Sequence, residues 1–241
     1  MSHNVWLLGE GPLAETAGMV LRKRGVSVWE GNTPNGEAVD AVIDVSFSGE
    51  NGDRKHALLA HAESRVRPDI PIFTSCLDTW ATRTAAWLKK PERVAGFSPL
   101  ELAEGDIVEV SRPLQAQDET AWEGQVRLWE NWGKRVEIVG DEPGLVFPRI
   151  LSLMVNEAAH LLGEGGATAA DIDTGMKQGT NHPRGPLEWA DRVGVDQIAA
   201  ILEGLQQAFG EDRYRPAPLI RKMVWAGRFG VRSGRGFHHY E

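Results

Sequence analysis

A single cysteine, Cys76, in 241 residues leaves no internal disulfide to expect. Its residue type points to a small buried hydrophobe rather than a nucleophile. No apolar run approaches the roughly 20 residues needed to span a bilayer, so no membrane partner is expected. Positive charge is in deficit, with 26 Lys and Arg against 34 Asp and Glu and a net charge of −8. That balance argues against a broad nucleic-acid surface, because phosphate binding needs clustered cations. The only basic clusters are Arg22-Lys23-Arg24 and the stretch from Arg228 to Arg235. The N-terminus shows no basic segment followed by an apolar one. With the lone cysteine, this leads to the expectation of a soluble cytoplasmic protein. Histidine is missing between residues 62 and 159, and no cluster has metal-ligand spacing, so no metal is expected.

What is present has a clear order. Short β-branched runs at Val5–Leu8, Val26–Trp29, Ala41–Val45 and Ile70–Thr74 alternate with helical stretches at Pro12–Arg24 and Asp53–Val66. That alternation predicts a parallel sheet with helices on its faces. Further strands are expected at Val94–Phe97, Ile107–Val110 and Val136–Val139. A helix capped by Asp118 lies before the last, with Trp122, Val126 and Trp129 at helical spacing. After Asp141-Glu142-Pro143-Gly144 the period becomes 3.6, from Ile150 through Met154 and Ala158 to Leu162. Thr168, with Asp171 three residues on, predicts a capped helix start. Further helices are expected near Pro186–Val193, Asp196–Ala208 and Ala217–Ala226, before a possible extended tail at Gly236–Tyr240. The expected organisation is an α/β Rossmann-like domain over residues 1–142 and an all-α domain over 143–241.

Gly9-Glu10-Gly11-Pro12-Leu13-Ala14 reads G-x-G-x-x-A between the first strand and the first helix. In that setting Gly9 permits the tight turn and Gly11 lets a pyrophosphate approach the backbone. The small Ala14 lets helix and strand pack closely. Glu30, at the end of the second strand, is placed to accept both ribose hydroxyls, which favours NAD over NADP. Glu10 brings a like charge near the pyrophosphate, and Pro12 removes one amide donor. The alternative is a turn that keeps the fold and no longer binds nucleotide.

The back half carries a specific resemblance. Asp141-Glu142-Pro143-Gly144-Leu145-Val146-Phe147-Pro148-Arg149-Ile150-Leu151, Asn156-Glu157-Ala158, Ala167–Lys177, Asn181-His182-Pro183-Arg184-Gly185-Pro186-Leu187-Glu188, Arg213–Val224 and Ser233-Gly234-Arg235-Gly236-Phe237 follow one another with few gaps. In that order they resemble the linker and helical domain of the NAD-dependent 3-hydroxyacyl-CoA dehydrogenases. Lys90–Phe97 extends the likeness into the front half.

The resemblance implies reversible oxidation of an L-3-hydroxyacyl-CoA to the 3-ketoacyl-CoA with NAD. A His–Glu pair handles the hydroxyl proton in that family, and the helical domain serves dimerisation. A homodimer acting on an acyl-CoA-type substrate is therefore expected.

Three departures qualify this. Ser98 stands where the resemblance places the catalytic His, while the partner carboxylate persists as Glu109. Pro148 replaces the family's substrate-orienting Asn, and Ser75 is the candidate for its substrate-binding hydroxyl. Only Gly31 to Asp40 lies between the second and third strands, where the family carries a longer helical excursion that docks CoA. Glu109 and Ser98 are accordingly the expected catalytic pair, with Glu109 the best remaining base. The expected function is a dehydrogenase of reduced or altered activity. The alternative is a non-catalytic homologue that acts as a binding, regulatory or dimerising scaffold.

Overall fold

A computed structural model describes residues 3–31 and 39–240. It forms two compact units, one ending at Val146 and one beginning at Phe147.

Among its described residues, the first unit has seven strands: β1 (Asn4–Leu8), β2 (Ser27–Glu30), β3 (Ala41–Asp44), β4 (Ile72–Ser75), β5 (Val94–Phe97), β6 (Ile107–Ser111) and β7 (Arg135–Val139). Five helices accompany them: α1 (Pro12–Lys23), α2 (Asp53–Arg65), α3 (Ala81–Ala85), α4 (Glu101–Glu104) and α5 (Glu119–Asn131). The strand order is β2-β1-β3-β4-β5-β6-β7, so the chain reverses its direction of travel between β1 and β3. Ligands of open α/β sheets bind at such a switch point, outside the carboxyl ends of the strands. Of the short connection from Gly31 to Asp40 between β2 and β3, residues 32–38 lie outside the described residues.

β1 to β5 are mutually parallel, as the alternation predicts, but β6 runs antiparallel to β5 and β7 follows β6. The reason is length. Only residues 98–106 join β5 to β6, and a parallel crossover needs a dozen or more residues. Gly96 is required where β5 meets its neighbours, since a Cβ there would overlap Ser111 Oγ and Cys76 Sγ. The apolar face of α5 covers the sheet, with the Trp129 ring centroid 5.2 Å from Phe73 and 5.2 Å from Phe97. Asp118 caps α5 by accepting from the Ala121 amide at 3.1 Å.

The second unit is helical: α6 (Phe147–Gly163), α7 (Ala169–Gly179), α8 (Pro186–Val193), α9 (Val195–Phe209) and α10 (Pro218–Trp225). Leu151, Val155, Ile198, Leu202 and Ile220 are fully buried in its core. Thr168 and Asp171 form a reciprocal capping box at the start of α7. Two buried carboxylates tie the last residues down. Asp191 accepts from the Phe237 and His238 amides, both at 2.8 Å, and from the Tyr240 hydroxyl at 3.1 Å. Asp173 accepts from the Leu187 and Glu188 amides and meets His238 Nε2 at 2.7 Å. The tail therefore follows side chains rather than an extended strand, and its ladder contacts among the described residues are isolated bridges at Gly230, Arg235 and His239. Asp191→Ala leaves three donors without their acceptor, and a loss of about 3 kcal/mol is expected in urea unfolding. No helix among the described residues is long and apolar enough to cross a membrane.

Candidate functional site

The first candidate element is the turn that leaves β1. Gly9 and Gly11 have φ of 114° and 78°, a region that favours glycine. A Cβ at Gly9 would sit 2.9 Å from Val45 Cγ2, so the turn closes against the residue following β3. At Gly11 a Cβ would meet nothing within 4 Å, so the space above that peptide is open. Gly11 also caps α1 without any side-chain hydrogen bond, and Pro12 follows it. The first turn of α1 thus begins without a side-chain cap, an arrangement suited to a phosphate. Ala14 is buried, as close packing of helix on strand requires. Glu10 points away into an exposed pair with Arg54 at 3.0 Å.

Glu30 ends β2 half-exposed, with Oε1 held 2.9 Å from an Arg22 guanidinium nitrogen. The same oxygen leans over Gly18 of α1, where a Cβ would overlap it. The glycine turn, the uncapped helix start and this carboxylate together fit a dinucleotide. What the sequence reading missed is the cation already placed at Glu30.

The second element lies on the same carboxyl edge of the parallel strands, three strand spacings from β1, or about 14 Å. Antiparallel pairing sets Phe97 opposite Val110. Continuing that ladder, the Ser98 amide donates to the Glu109 carbonyl at 3.1 Å. Ser98 and Glu109 are therefore cross-strand neighbours, both buried. Glu109 Oε2 accepts from the Val146 amide at 2.9 Å.

A third residue joins them. Glu101, the first residue of α4, is 8% exposed and accepts the Ser98 hydroxyl on Oε2. Its other oxygen, Oε1, is buried, and no donor among the described residues reaches it. The Glu109 carboxyl lies near enough to act on that of Glu101, and both its charge and its side-chain hydrogen bonding favour the neutral form of Glu101. Burial, and then the Glu109 charge, push the Glu101 carboxyl up to about 8, against the opposing pull of the Ser98 hydrogen bond. Lys134 steadies the loop from beneath, donating to the carbonyls of Leu102 at 2.9 Å and Gly105 at 2.5 Å. Burial, helped by the Arg24 charge, draws that ammonium down to about 8. The only sequence signal for Glu101 is its position three residues after Ser98, the spacing at which a hydroxyl and a carboxylate meet.

Between these two elements, Ser75 ends β4 fully buried. Its hydroxyl lies 3.5 Å from the Leu77 amide, and its carbonyl accepts from Lys55 Nζ at 2.8 Å. Burial pushes the neighbouring Cys76 thiol up to about 12, which keeps it an inert hydrophobe. Pro148 lies buried in α6 of the helical unit. Among the described residues, no three His, Cys, Asp or Glu side chains gather as metal ligands.

Comparison with known proteins gives consistent results. A family model described as "3-hydroxyacyl-CoA dehydrogenase, C-terminal domain" matches residues 144–240. A probable 3-hydroxybutyryl-CoA dehydrogenase of Bacillus subtilis is 38% identical over 208 residues, covering 85% of this chain and 71% of that protein. Its counterpart in Deinococcus radiodurans is 41% identical over 196 residues, covering 79% and 69%. The crystal structure of (S)-3-hydroxybutyryl-CoA dehydrogenase from Ralstonia eutropha superposes with a TM-score of 0.77 at 28% identity, covering all of both chains.

Proposed function

The chain belongs to the 3-hydroxyacyl-CoA dehydrogenase family, and from that premise we propose that it interconverts L-3-hydroxyacyl-CoA and 3-ketoacyl-CoA thioesters with NAD as its redox partner. One observation carries this reading: an open glycine turn at Gly9–Gly11 and the Ser98–Glu109 pair occupy one carboxyl edge of one sheet. Gly9, Gly11 and Ala14 shape the turn for the pyrophosphate, and Glu30 receives the ribose hydroxyls. Bound there, a nicotinamide dinucleotide supplies the hydride acceptor. Ser98 and Glu109 face the carbinol end, where a hydroxyl proton must be held or released, and Ser75 lines the path between. The helical unit is the dimerisation element, and the cytoplasm is the compartment.

The test is direct. Purified protein is mixed with NADH and acetoacetyl-CoA, and with NAD and 3-hydroxybutyryl-CoA, and nicotinamide absorbance is followed. Turnover in both directions is expected. In parallel, NADH at about 100 times its Kd stabilises the native state by about 2.7 kcal/mol, a rise in Tm of roughly 5–10 °C. Gly11→Asp puts a carboxylate into the open space over the turn and is expected to abolish that rise.

Ser98 at the expected His position and Pro148 at the expected Asn position favour a second reading, a dimerising scaffold without chemistry. A protein that is dimeric by light scattering, with neither turnover nor a Tm response to NADH, would establish that reading instead.

A further inference from the structure

We propose that Ser98, Glu101 and Glu109 form a proton relay in place of a histidine base, with Ser98 touching the substrate oxygen and Glu101 holding the transferred proton. The proposal rests on the dehydrogenase reading above and assigns the group that this reading leaves open.

A serine hydroxyl alone is no base near neutral pH; it needs a neighbour to take its proton. Here that neighbour is in place, because Ser98 Oγ already donates to Glu101 Oε2. Glu101 is kept able to hold a proton by its surroundings. It is buried, no donor among the described residues reaches its Oε1, and its carboxyl lies near that of Glu109. Two adjacent buried carboxyls do not both ionise readily, so one proton stays with the pair. Glu109 cannot swing away from this contact, since its Oε2 is fixed by the Val146 amide. Among the described residues, the other charged groups around the loop are Lys134, which holds the carbonyls of Leu102 and Gly105, and Arg24 at the end of α1, which is paired with Asp106 at 2.7 Å.

In the oxidative direction the substrate O–H bond breaks as Ser98 Oγ gains its proton. The former Ser98 proton passes to Glu101 Oε2. A bound oxidised nicotinamide would take the C3 hydrogen with its electron pair, so that the carbinol would become a ketone. Reduction runs the same path backwards, drawing its proton from Glu101 through Ser98. Because Glu101 stays neutral to about pH 8, the resting site at neutral pH is primed for ketone reduction. Reduction should be level up to about pH 8 and fall tenfold per pH unit above it. Oxidation should rise with pH over the range below.

The experiment compares wild type, Glu101→Gln and Ser98→Ala by pH–rate profile and by infrared difference spectroscopy between pH 7 and pH 9.5. Glutamine reproduces the neutral, donating form of Glu101 and preserves the contact with Glu109. Wild type is expected to show the carbonyl band of a buried neutral carboxyl that disappears through about pH 8. Glu101→Gln should lack this band, lose at least about 100-fold in turnover and lose the alkaline limb. Ser98→Ala should lose a similar factor in turnover yet keep the band, which separates proton holding from proton passage. If wild type turns over and Glu101→Gln keeps its rate and pH profile, the relay is overturned while the dehydrogenase reading stands. An absent wild-type band likewise overturns the relay alone, and absence of turnover by wild type overturns both.

Discussion

Replacing Glu30 with alanine is expected to shift nucleotide preference from NADH toward NADPH by about two orders of magnitude. Glu30 combines two effects. In the proposed pocket it would offer acceptor oxygens for ribose hydroxyls, and its charge would repel a 2′-phosphate. Arg22, 2.9 Å away, is neutralised by it. Removal of the carboxylate leaves a guanidinium beside the ribose position, the residue type that accommodates a 2′-phosphate. Charge-assisted hydrogen bonds are worth about 1.5–3 kcal/mol, roughly 10- to 100-fold each, and loss of repulsion adds to that. The ratio of kcat/KM for the two nucleotides, or of their Kd values by calorimetry, reads the change. Adding Arg22→Ala should cancel the gain for NADPH. A ratio that stays put in Glu30→Ala would show that the ribose does not lie at the end of β2.

Lys55→Met is expected to have the largest effect on stability. Lys55 is fully buried, with Nζ 3.1 Å from Asp44 Oδ2, 2.7 Å from the Ser46 carbonyl and 2.8 Å from the Ser75 carbonyl. Asp44 is equally buried and accepts from the Ser46 amide and the Thr74 hydroxyl. Asp78, close by, is raised above the usual carboxylate range by burial and pulled back by the Lys55 charge. Deleting the ammonium leaves both carboxyls and two carbonyls without their cation. Breaking a buried pair on one side costs about 3–5 kcal/mol, which for a chain of this size lowers Tm by roughly 10 °C or more. Adding Asp44→Asn should restore part of the loss, since the stranded charge is then gone. A single-mutant loss below about 1 kcal/mol would mean that water reaches the site and replaces the amine.

The strands, the glycine turn and the helix caps were legible because each is written locally. Asp118 before α5 and the Thr168–Asp171 box before α7 are read from spacing alone and are found so. The likeness of the back half to a known family was legible for a similar reason, being carried by continuous segments. The direction of β6 was not read, although the nine-residue link after β5 holds the information. Periodicity reports which face a residue takes and is silent on which way a strand runs. Glu101 was not legible because the role proposed for it depends on burial and on closeness to Glu109, eight residues on and across a turn. No linear pattern marks a carboxyl that will be denied a donor at Oε1. The Arg22–Glu30 pair is hidden in the same way, since it joins the end of a helix to the end of the following strand.

The reversal of β6 has one more consequence. By folding β5 and β6 into a hairpin, the chain places the whole of the proposed proton relay in one short stretch, from Ser98 to Glu109. The residues that would recognise the nucleotide are written separately, between Gly9 and Glu30, at the far side of the same sheet. Acid–base chemistry can thus be exchanged as a cassette. Swapping a histidine for a serine–glutamate couple alters a single loop and leaves the nucleotide turn as it was.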